Sequence, residues 1–168
     1  MHVGMKALKN KLRRVLAIDP GYDRLGIAVL EGDASKPIHV WSDCVIPPKG
    51  KKESRLAVVY KATADAIQEY NPDILALETL FFSSNKTTAI GVAEARGAVL
   101  AAAGAAEIPL QEYAPQQVKL AVTGYGASDK AAIARMIPHL ITLPPKKRLD
   151  DELDAIALGI AGLADRRT

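Results

Sequence analysis

Residues 15–30 read VLAIDPGYDRLGIAVL, and this stretch decides the fold class. Its first five residues are an apolar run that ends in Asp19, and the Pro20-Gly21 pair that follows is a turn signal. Residues 25–30 are again apolar, so the short link between the two runs predicts a β-hairpin. The chain is therefore expected to begin its fold with antiparallel strands.

Further strands and helices follow outward from this hairpin. Residues 38–46 alternate well enough for a third strand, and residues 53–70 carry apolar side chains at helical spacing. The other predicted elements are strands at 74–78 and 109–113, and helices at 86–106, at 115–122, from a Ser128 cap to a kink or end at Pro138, and at 150–164. This order predicts an α/β fold: a mixed five-stranded sheet, three antiparallel strands then parallel strands, with helices on both faces.

The composition fits one globular domain with a core, because 49% of the 168 residues are hydrophobic. The single cysteine, Cys44, excludes an internal disulfide framework and favours a reducing, cytoplasmic location. No apolar run reaches the roughly 20 residues needed to span a bilayer, so no membrane partner is expected. Residues 1–14 are basic and are expected to form a flexible extension before a single domain at 15–168. The net charge of +3 permits a polyanionic partner.

Two predicted strands end in an acidic residue. Asp19 follows Val-Leu-Ala-Ile, and Glu78 follows Ile-Leu-Ala-Leu. A carboxylate at the end of a buried strand is costly to desolvate unless it is solvated, paired or bound to a cation. Functional groups of open sheets gather at strand ends. The two acids are therefore candidates for one site.

The last predicted helix begins with the acidic run Asp150-Asp151-Glu152-Leu153-Asp154. Asp151 and Asp154 are three residues apart and share a helix face, but helical spacing does not choose between Asp150 and Asp151. Acids at a helix N-terminus are also favoured by the helix dipole alone, and this explanation is preferred for Glu152. Three separate segments that place acids at the ends of apolar elements nevertheless favour a metal site over coincidence.

The ligand chemistry of such a site favours a hard cation. Carboxylate oxygens without a histidine or cysteine cluster favour Mg²⁺ or Mn²⁺ over zinc. Two such ions about 4 Å apart activate a water molecule and stabilise the leaving oxygen of a phosphodiester. The acids therefore predict metal-dependent phosphodiester chemistry.

Four segments of the chain match a single family pattern. The first is weakly specific and the third is the most specific; in order they are Ile18-Asp19-Pro20-Gly21 with Gly26, Glu78-Thr79-Leu80-Phe81-Phe82 with Asn85 and Ala95-Arg96-Gly97-Ala98, Tyr113-Ala114-Pro115-Gln116-Gln117-Val118-Lys119 with Gly124-Tyr125-Gly126-Ala127-Ser128-Asp129-Lys130, and Asp151-Glu152-Leu153-Asp154-Ala155-Ile156-Ala157. On these residues the chain resembles the bacterial Holliday junction resolvase family, RuvC, from about residue 15 to residue 164.

The resemblance implies a ribonuclease H-like fold and a structure-selective DNA endonuclease. Such an enzyme resolves four-way junctions by paired, metal-dependent nicks on opposed strands during recombination and repair. The resemblance places the four catalytic, metal-binding acids at Asp19, Glu78, Asp151 and Asp154, and so favours Asp151 over Asp150. The expected cofactor is Mg²⁺, with Mn²⁺ as a substitute and two ions per active site.

The resemblance also implies how DNA is held. It places two DNA-contacting lysines at Lys119 and Lys130 and an aromatic wedge at Phe81, with Phe82 expected in the core. Lys147 and Arg148 are further candidates for DNA contact, because they immediately precede the acids of the last helix. The implied partners are four-way junction DNA, a second copy of the chain in a homodimer, and a branch-migration helicase complex of the RuvA–RuvB type.

Two departures from the family pattern leave the four acids untouched. Glu94 stands where the family usually has Gln, and Pro138 interrupts a helix that is usually continuous. Alternatives are another ribonuclease H-like nuclease acting on structured RNA or other branched DNA, an actin-like ATPase or sugar kinase, and a junction-binding protein without catalysis. The lysine segments argue against the other nuclease. An ATPase or kinase of that kind needs a second comparable domain, and the intact acid set argues against a binding protein without catalysis.

Overall fold

The structure is a computed structural model that describes residues 12–80 and 86–165. Its five strands form one sheet of order β3-β2-β1-β4-β5: β1 (Arg13–Pro20), β2 (Leu25–Asp33), β3 (Lys36–Val45), β4 (Ile74–Glu78) and β5 (Leu110–Tyr113). The described helices are α1 (Lys52–Tyr70), α2 (Lys86–Ala105), α3 (Pro115–Thr123), α4 (Lys130–Leu140) and α5 (Asp150–Ala164). None of them is long and apolar enough to cross a membrane.

The sheet has the predicted mixed character. β2 pairs antiparallel with both β1 and β3, whereas β4 pairs parallel with β1 and β5 pairs parallel with β4. The hairpin of residues 15–30, the three antiparallel strands followed by parallel strands, and the helices on both faces are therefore confirmed.

Alternation along β1 supplies two separate cores, one on each face of the sheet. Val15 and Ala17 pack with residues of α3, α4 and α5, and Leu16 and Ile18 pack with residues of α1 and α2. All four side chains are completely buried. α5 packs against β1 and β2, and its first turn lies at the end of β1 that carries Asp19, because the Asp151 backbone is close to Gly26, the residue opposite Asp19.

The start of β1 differs from the predicted domain boundary. Arg13 and Arg14 belong to the sheet, not to the extension before it. The backbone N–H of Arg14 donates to Asp73 Oδ2 at 2.8 Å, and its Nε donates to Glu31 Oε1 at 2.8 Å. Because these partners are distant in sequence, the basic residues Arg13 and Arg14 gave no sign that they belong to the sheet, and they were grouped with the basic extension. Residues 1–11 lie outside the described residues.

The boundaries of α4 also differ from prediction. Asp129, not Ser128, caps the helix, because its carboxylate accepts a hydrogen bond from the Ala132 N–H at 2.7 Å. The Ser128 hydroxyl is instead hydrogen-bonded to the Thr123 hydroxyl at 2.9 Å. Pro138 lies inside α4. The helix continues for two residues beyond it and ends at Leu140.

Candidate active site

Asp19 and Glu78 lie side by side at the ends of two parallel strands. Ile18 of β1 is opposite Leu77 of β4, and an acid follows each of them. Since neighbouring strands are about 4.8 Å apart, both carboxylates belong to the same edge of the sheet. Both line a cleft of about 220 Å³ together with Arg96.

A glycine brings the first turn of α5 to this edge. Gly26 pairs with Asp19 across β1 and β2, and a Cβ atom at residue 26 would lie 1.8 Å from the backbone carbonyl oxygen of Asp151. Only glycine allows so close an approach of two backbones. The backbone of Asp151 therefore lies against the strand residue opposite Asp19, and Asp154 follows almost one helical turn later.

The four carboxylates of Asp19, Glu78, Asp151 and Asp154, here called the acidic cluster, influence one another electrostatically. Burial, followed by the charges of Asp154, Glu78 and Asp151, raises the pKa of Asp19 to about 7. Burial, followed by the charge of Asp154, also raises the pKa of Glu78. The fold thus collects negative charge in a partly desolvated place, where a bound cation would be favourable.

Two cations approach the members of the cluster carried by α5. Lys130 Nζ lies 2.6 Å from Asp154 Oδ2, and this hydrogen bond raises the pKa of Lys130. Arg24 Nε lies 2.9 Å from Asp151 Oδ2, but its N–H is not directed at that oxygen. Asp151 Oδ2 is buried and accepts no hydrogen bond within the described part of the chain. Asp151 Oδ2 is therefore close to a cation but takes no hydrogen bond from it.

The acidic cluster suits a divalent metal by its chemistry. It offers hard oxygen donors, mutual repulsion that a cation relieves, and a buried Asp151 oxygen that takes no hydrogen bond from any described residue. In residues 12–80 and 86–165, however, no three acidic, histidine or cysteine side chains already stand in an arrangement that could hold an ion. In this structure the ion pairs with Arg24 and Lys130 engage the two α5 acids.

The two lysines predicted to contact DNA both lie near the acids. Lys130 begins α4 and pairs with Asp154, and its side chain is 77% exposed. Lys119 lies on α3, and its charge partly opposes the rise in the pKa of Glu78 that burial and Asp154 cause. Their positions beside the cluster distinguish them from ordinary surface lysines.

Arg96 supports the site in a way that the sequence pattern did not predict. Its side chain is only 12% exposed; Nη1 donates to the backbone oxygen of Glu78 at 2.6 Å, and Nη2 pairs with Glu112. Arg96 therefore links α2 to the ends of β4 and β5. Arg96 is the one arginine of α2 and stands in the Ala95-Arg96-Gly97-Ala98 segment of the family pattern, and that was the available signal.

Glu152 and Arg148, at the start of α5 and just before it, are paired with each other. Glu152 is not merely an acid favoured by the helix dipole: it is 2% exposed and bonded to Ser42, Lys146 and Arg148. The Arg148 side chain is 8% exposed and donates to Glu152 and to the backbone oxygen of Pro144. In this structure the Arg148 guanidinium is therefore engaged within the protein, and its predicted contact with DNA stays a prediction.

The remaining predicted DNA contacts have different outcomes. Lys147 is exposed, as a phosphate contact would need to be. Phe81, the predicted wedge, and Phe82, the predicted core residue, lie outside the described residues. Both rings therefore keep the roles that the sequence predicted for them as predictions.

Comparison with known proteins gives a consistent family assignment. The family model for crossover junction endodeoxyribonuclease RuvC matches residues 15–162. The crossover junction endodeoxyribonuclease RuvC of Thermosipho melanesiensis is 41% identical over 146 residues, which cover 86% of this chain and 93% of the relative. That of Thermomicrobium roseum is 42% identical over 149 residues, which cover 88% of this chain and 90% of the relative.

Solved structures agree with this assignment. The RuvC of Thermus thermophilus in complex with Holliday junction substrate matches with a TM-score of 0.82 at 30% identity, covering 89% of this chain and 92% of that one. The yeast mitochondrial Holliday junction resolvase matches with a TM-score of 0.65 at 14% identity, covering 90% of this chain and 79% of that one, and supports the fold alone. The chain therefore belongs to the RuvC family of crossover junction endodeoxyribonucleases, metal-dependent hydrolases that cut DNA phosphodiester bonds and resolve Holliday junctions.

Proposed function

We propose that the acidic cluster is the catalytic centre of this chain and holds two divalent cations, Mg²⁺ in the first instance with Mn²⁺ as a substitute. The observation that carries the proposal is the meeting of acids from β1, β4 and α5 at one edge of the sheet. When bound, such ions activate water and stabilise the leaving oxygen of a phosphodiester. The task of the chain is to hold the carboxylate oxygens close together and leave room for phosphate.

The two lysines beside the cluster complete this assignment. Lys130 neutralises Asp154 in the structure, so a cation at the cluster would compete with Lys130 for that carboxylate. Once released, the exposed ammonium group of Lys130 can contact a DNA phosphate near the acids. Lys119 is close enough to influence Glu78 and can contact a second phosphate. Exposed Lys147, just before α5, extends the same basic surface. These contacts position DNA without reading its sequence.

Incubation with labelled DNA tests the proposed activity directly. With Mg²⁺, a four-way junction should be nicked on two opposed strands to give ligatable ends, while a linear duplex of the same sequence remains intact. A structured RNA and a three-way DNA junction complete the comparison. Cleavage of the RNA in preference to the four-way junction would overturn the proposed substrate.

The exposed face of α2 supports a homodimer. Its inward residues Ala95, Val99 and Ala102 are buried, whereas apolar and small residues at helical spacing are exposed on the opposite side: Ile90, Ala93, Gly97, Leu100, Ala101 and Gly104. A contiguous apolar stripe on a helix surface typically marks an interaction site. A second copy related by twofold symmetry would place two active sites on opposed strands.

Replacement of Leu100 by Glu places a charge in the middle of this stripe and tests the dimer. We expect the wild-type chain to have a dimeric mass by light scattering at micromolar concentration, and Leu100→Glu to be monomeric and to lose paired nicking. Lys61→Glu, at an exposed side chain of α1, is the matched control and should remain dimeric. A monomeric wild type, with and without junction DNA, would contradict the proposal.

The aromatic wedge is assigned to Phe81 on the family resemblance. A ring that stacks on a freed base at the junction centre contributes roughly 1–3 kcal/mol. Because part of this stabilisation arises only in the distorted, cleavable complex, Phe81→Ala should slow single-turnover cleavage without lowering the melting temperature. Phe82→Ala should mainly lower the melting temperature. The opposite pairing of effects would show that the two rings have exchanged roles.

In the cell, a resolvase of this kind would act in DNA recombination and repair with a branch-migration complex of the RuvA–RuvB type. The acidic cluster gives no information about such a complex, so this partnership rests on the family resemblance. Co-purification with the branch-migration proteins on a four-way junction, compared with the junction alone, tests it. A cytoplasmic location would agree with access to chromosomal DNA.

A further inference from the structure

Glu152 is a buried carboxylate in the middle of the turn that carries two members of the acidic cluster. Its side chain is 3% exposed, and one oxygen, Oε1, receives all of its close partners. The Ser42 hydroxyl donates to it at 2.6 Å, Lys146 Nζ lies at 2.9 Å and Arg148 Nε donates at 3.2 Å. Glu152 is thus a deeply buried charge with two cations and a hydroxyl around it, whereas Asp151 and Asp154 are more exposed and have one paired cation each among the described residues.

The hydrogen-bond chain continues beyond Ser42. His39 Nε2 lies 2.8 Å from the Ser42 hydroxyl oxygen. Since the single hydroxyl proton of Ser42 is directed to Glu152, His39 must donate its Nε2 proton to Ser42. Burial, followed by the charge of Arg148, lowers the pKa of His39, in keeping with a neutral ring. The order His39 to Ser42 to Glu152 therefore follows from the geometry.

These contacts fold the loop between α4 and α5 back onto the sheet. Arg148 donates to the backbone oxygen of Pro144 at 2.9 Å, and Lys146 Nζ donates to the backbone oxygen of Ser42 at 3.0 Å. Through Glu152, β3, this loop and the first turn of α5 are joined in one network. The turn is therefore held from two directions: by the network, and by the backbone contact at Gly26.

We propose that Glu152 is a positioning residue that fixes the direction in which Asp151 and Asp154 approach Asp19 and Glu78. The inference rests on the proposed metal-holding role of the acidic cluster. Glu152 itself faces Ser42 and the basic loop, so it acts through its neighbours and not as a metal ligand. Loss of its charge leaves the buried guanidinium of Arg148 without an anion, which favours opening of the loop and rotation of the turn.

Glu152→Gln tests the inference, because it preserves shape and removes charge. Residues that orient metal ligands typically change metal affinity or activity by about 10–100-fold when altered. We therefore expect Glu152→Gln to weaken Mn²⁺ binding, measured by calorimetry without DNA, within that range. The Mg²⁺ concentration for half-maximal junction cleavage should rise in parallel, and the rate should recover largely at high Mg²⁺.

Two further variants serve as controls. Asp65→Asn removes the carboxylate of an exposed ion pair with Lys61 on α1 and should leave both measurements unchanged. Glu152→Asp retains the charge on a shorter side chain and should restore part of the metal affinity. If Glu152→Gln does not fold, Ser42→Ala removes one donor while leaving both cations in place, and it should weaken Mn²⁺ binding several-fold.

The outcomes are separable. A Glu152→Gln protein that melts at a lower temperature but binds Mn²⁺ as the wild type does has lost only structural support, and the inference is then wrong. Unchanged Mn²⁺ binding by Ser42→Ala overturns it equally where that variant is used. Asp19→Asn provides the separate reading of the proposed function: if it too binds Mn²⁺ normally, the metal assignment itself fails.

Discussion

Two kinds of carboxylate share the first turn of α5. Asp151 and Asp154 lie beside other acids, and burial together with their charges raises the pKa of Asp19 to about 7. Glu152, between them in sequence, is more deeply buried yet is surrounded by a hydroxyl and two cations. Under the two proposals above, the neighbours of an acid, more than its burial or its place on a helix, distinguish a metal-holding carboxylate from a positioning one.

The largest expected effect comes from neutralising the acidic cluster. Asp19→Asn, Glu78→Gln, Asp151→Asn and Asp154→Asn should each reduce single-turnover junction cleavage by more than about a hundredfold, beyond the range for residues that merely orient a ligand. Junction binding should survive, because less negative charge faces the phosphates. Cleavage and gel-shift assays on the same preparations measure both, and wild-type cleavage by any two variants would show that the site is misassigned.

A smaller effect is expected from the cations that surround the cluster. Lys119→Ala and Lys130→Ala should each weaken junction binding for all sequences, because phosphate contacts carry no base information. Each variant should also flatten the dependence of log affinity on log salt by about one, the slope contributed by one released counterion. Lys36→Ala, at the exposed start of β3, is the control. If both variants keep the wild-type slope, the two lysines are ordinary surface charges.

The smallest effect concerns the stability of the metal-free protein. The pKa of Asp19 is about 7 in the folded protein and 3.8 in the unfolded chain. Between these two pH values the folded protein therefore keeps a proton on Asp19 that the unfolded chain has released. The stability contribution is therefore complete below about pH 4 and declines as pH rises to about 7. Asp19→Asn should lack this decline and melt higher than the wild type at pH 8, in chelator.

Glu152→Gln should have the opposite effect on stability. Its charge is compensated in the folded state, so its removal should lower the melting temperature across the same pH range. Differential scanning calorimetry of the two variants compares the two kinds of carboxylate directly. If both variants change the melting temperature equally and in the same direction, Asp19 and Glu152 do not differ in the way proposed.

Local patterns in the sequence were sufficient for much of the fold. β4 and α5 have their predicted bounds, because both combine an apolar run with clear end signals. Asp19 and Glu78 were recognisable as site candidates for the same reason. The choice of Asp151 over Asp150 depended on the family resemblance, since helical spacing alone allowed either.

Contacts between distant residues were not predictable in this way. Ser42 and Glu152 are 110 residues apart in sequence, and nothing around either residue indicates that they meet. The inward direction of Arg148 likewise depends on Glu152 and on the fold of the preceding loop. A basic run next to a set of acids predicts a phosphate contact, whereas only the folded loop shows which of its cations are already paired.

The close approach at Gly26 has a consequence for how the family's sequences can vary. A side chain at residue 26 would collide with backbone, at 1.8 Å from the Asp151 oxygen, and no rotamer change relieves a collision with backbone. In a library containing every substitution, residue 26 should therefore tolerate as little as the acids do, although it has no side chain to offer a substrate. Intolerance at this glycine would result from the close packing of α5 on the sheet and not from any contact of residue 26 with a substrate.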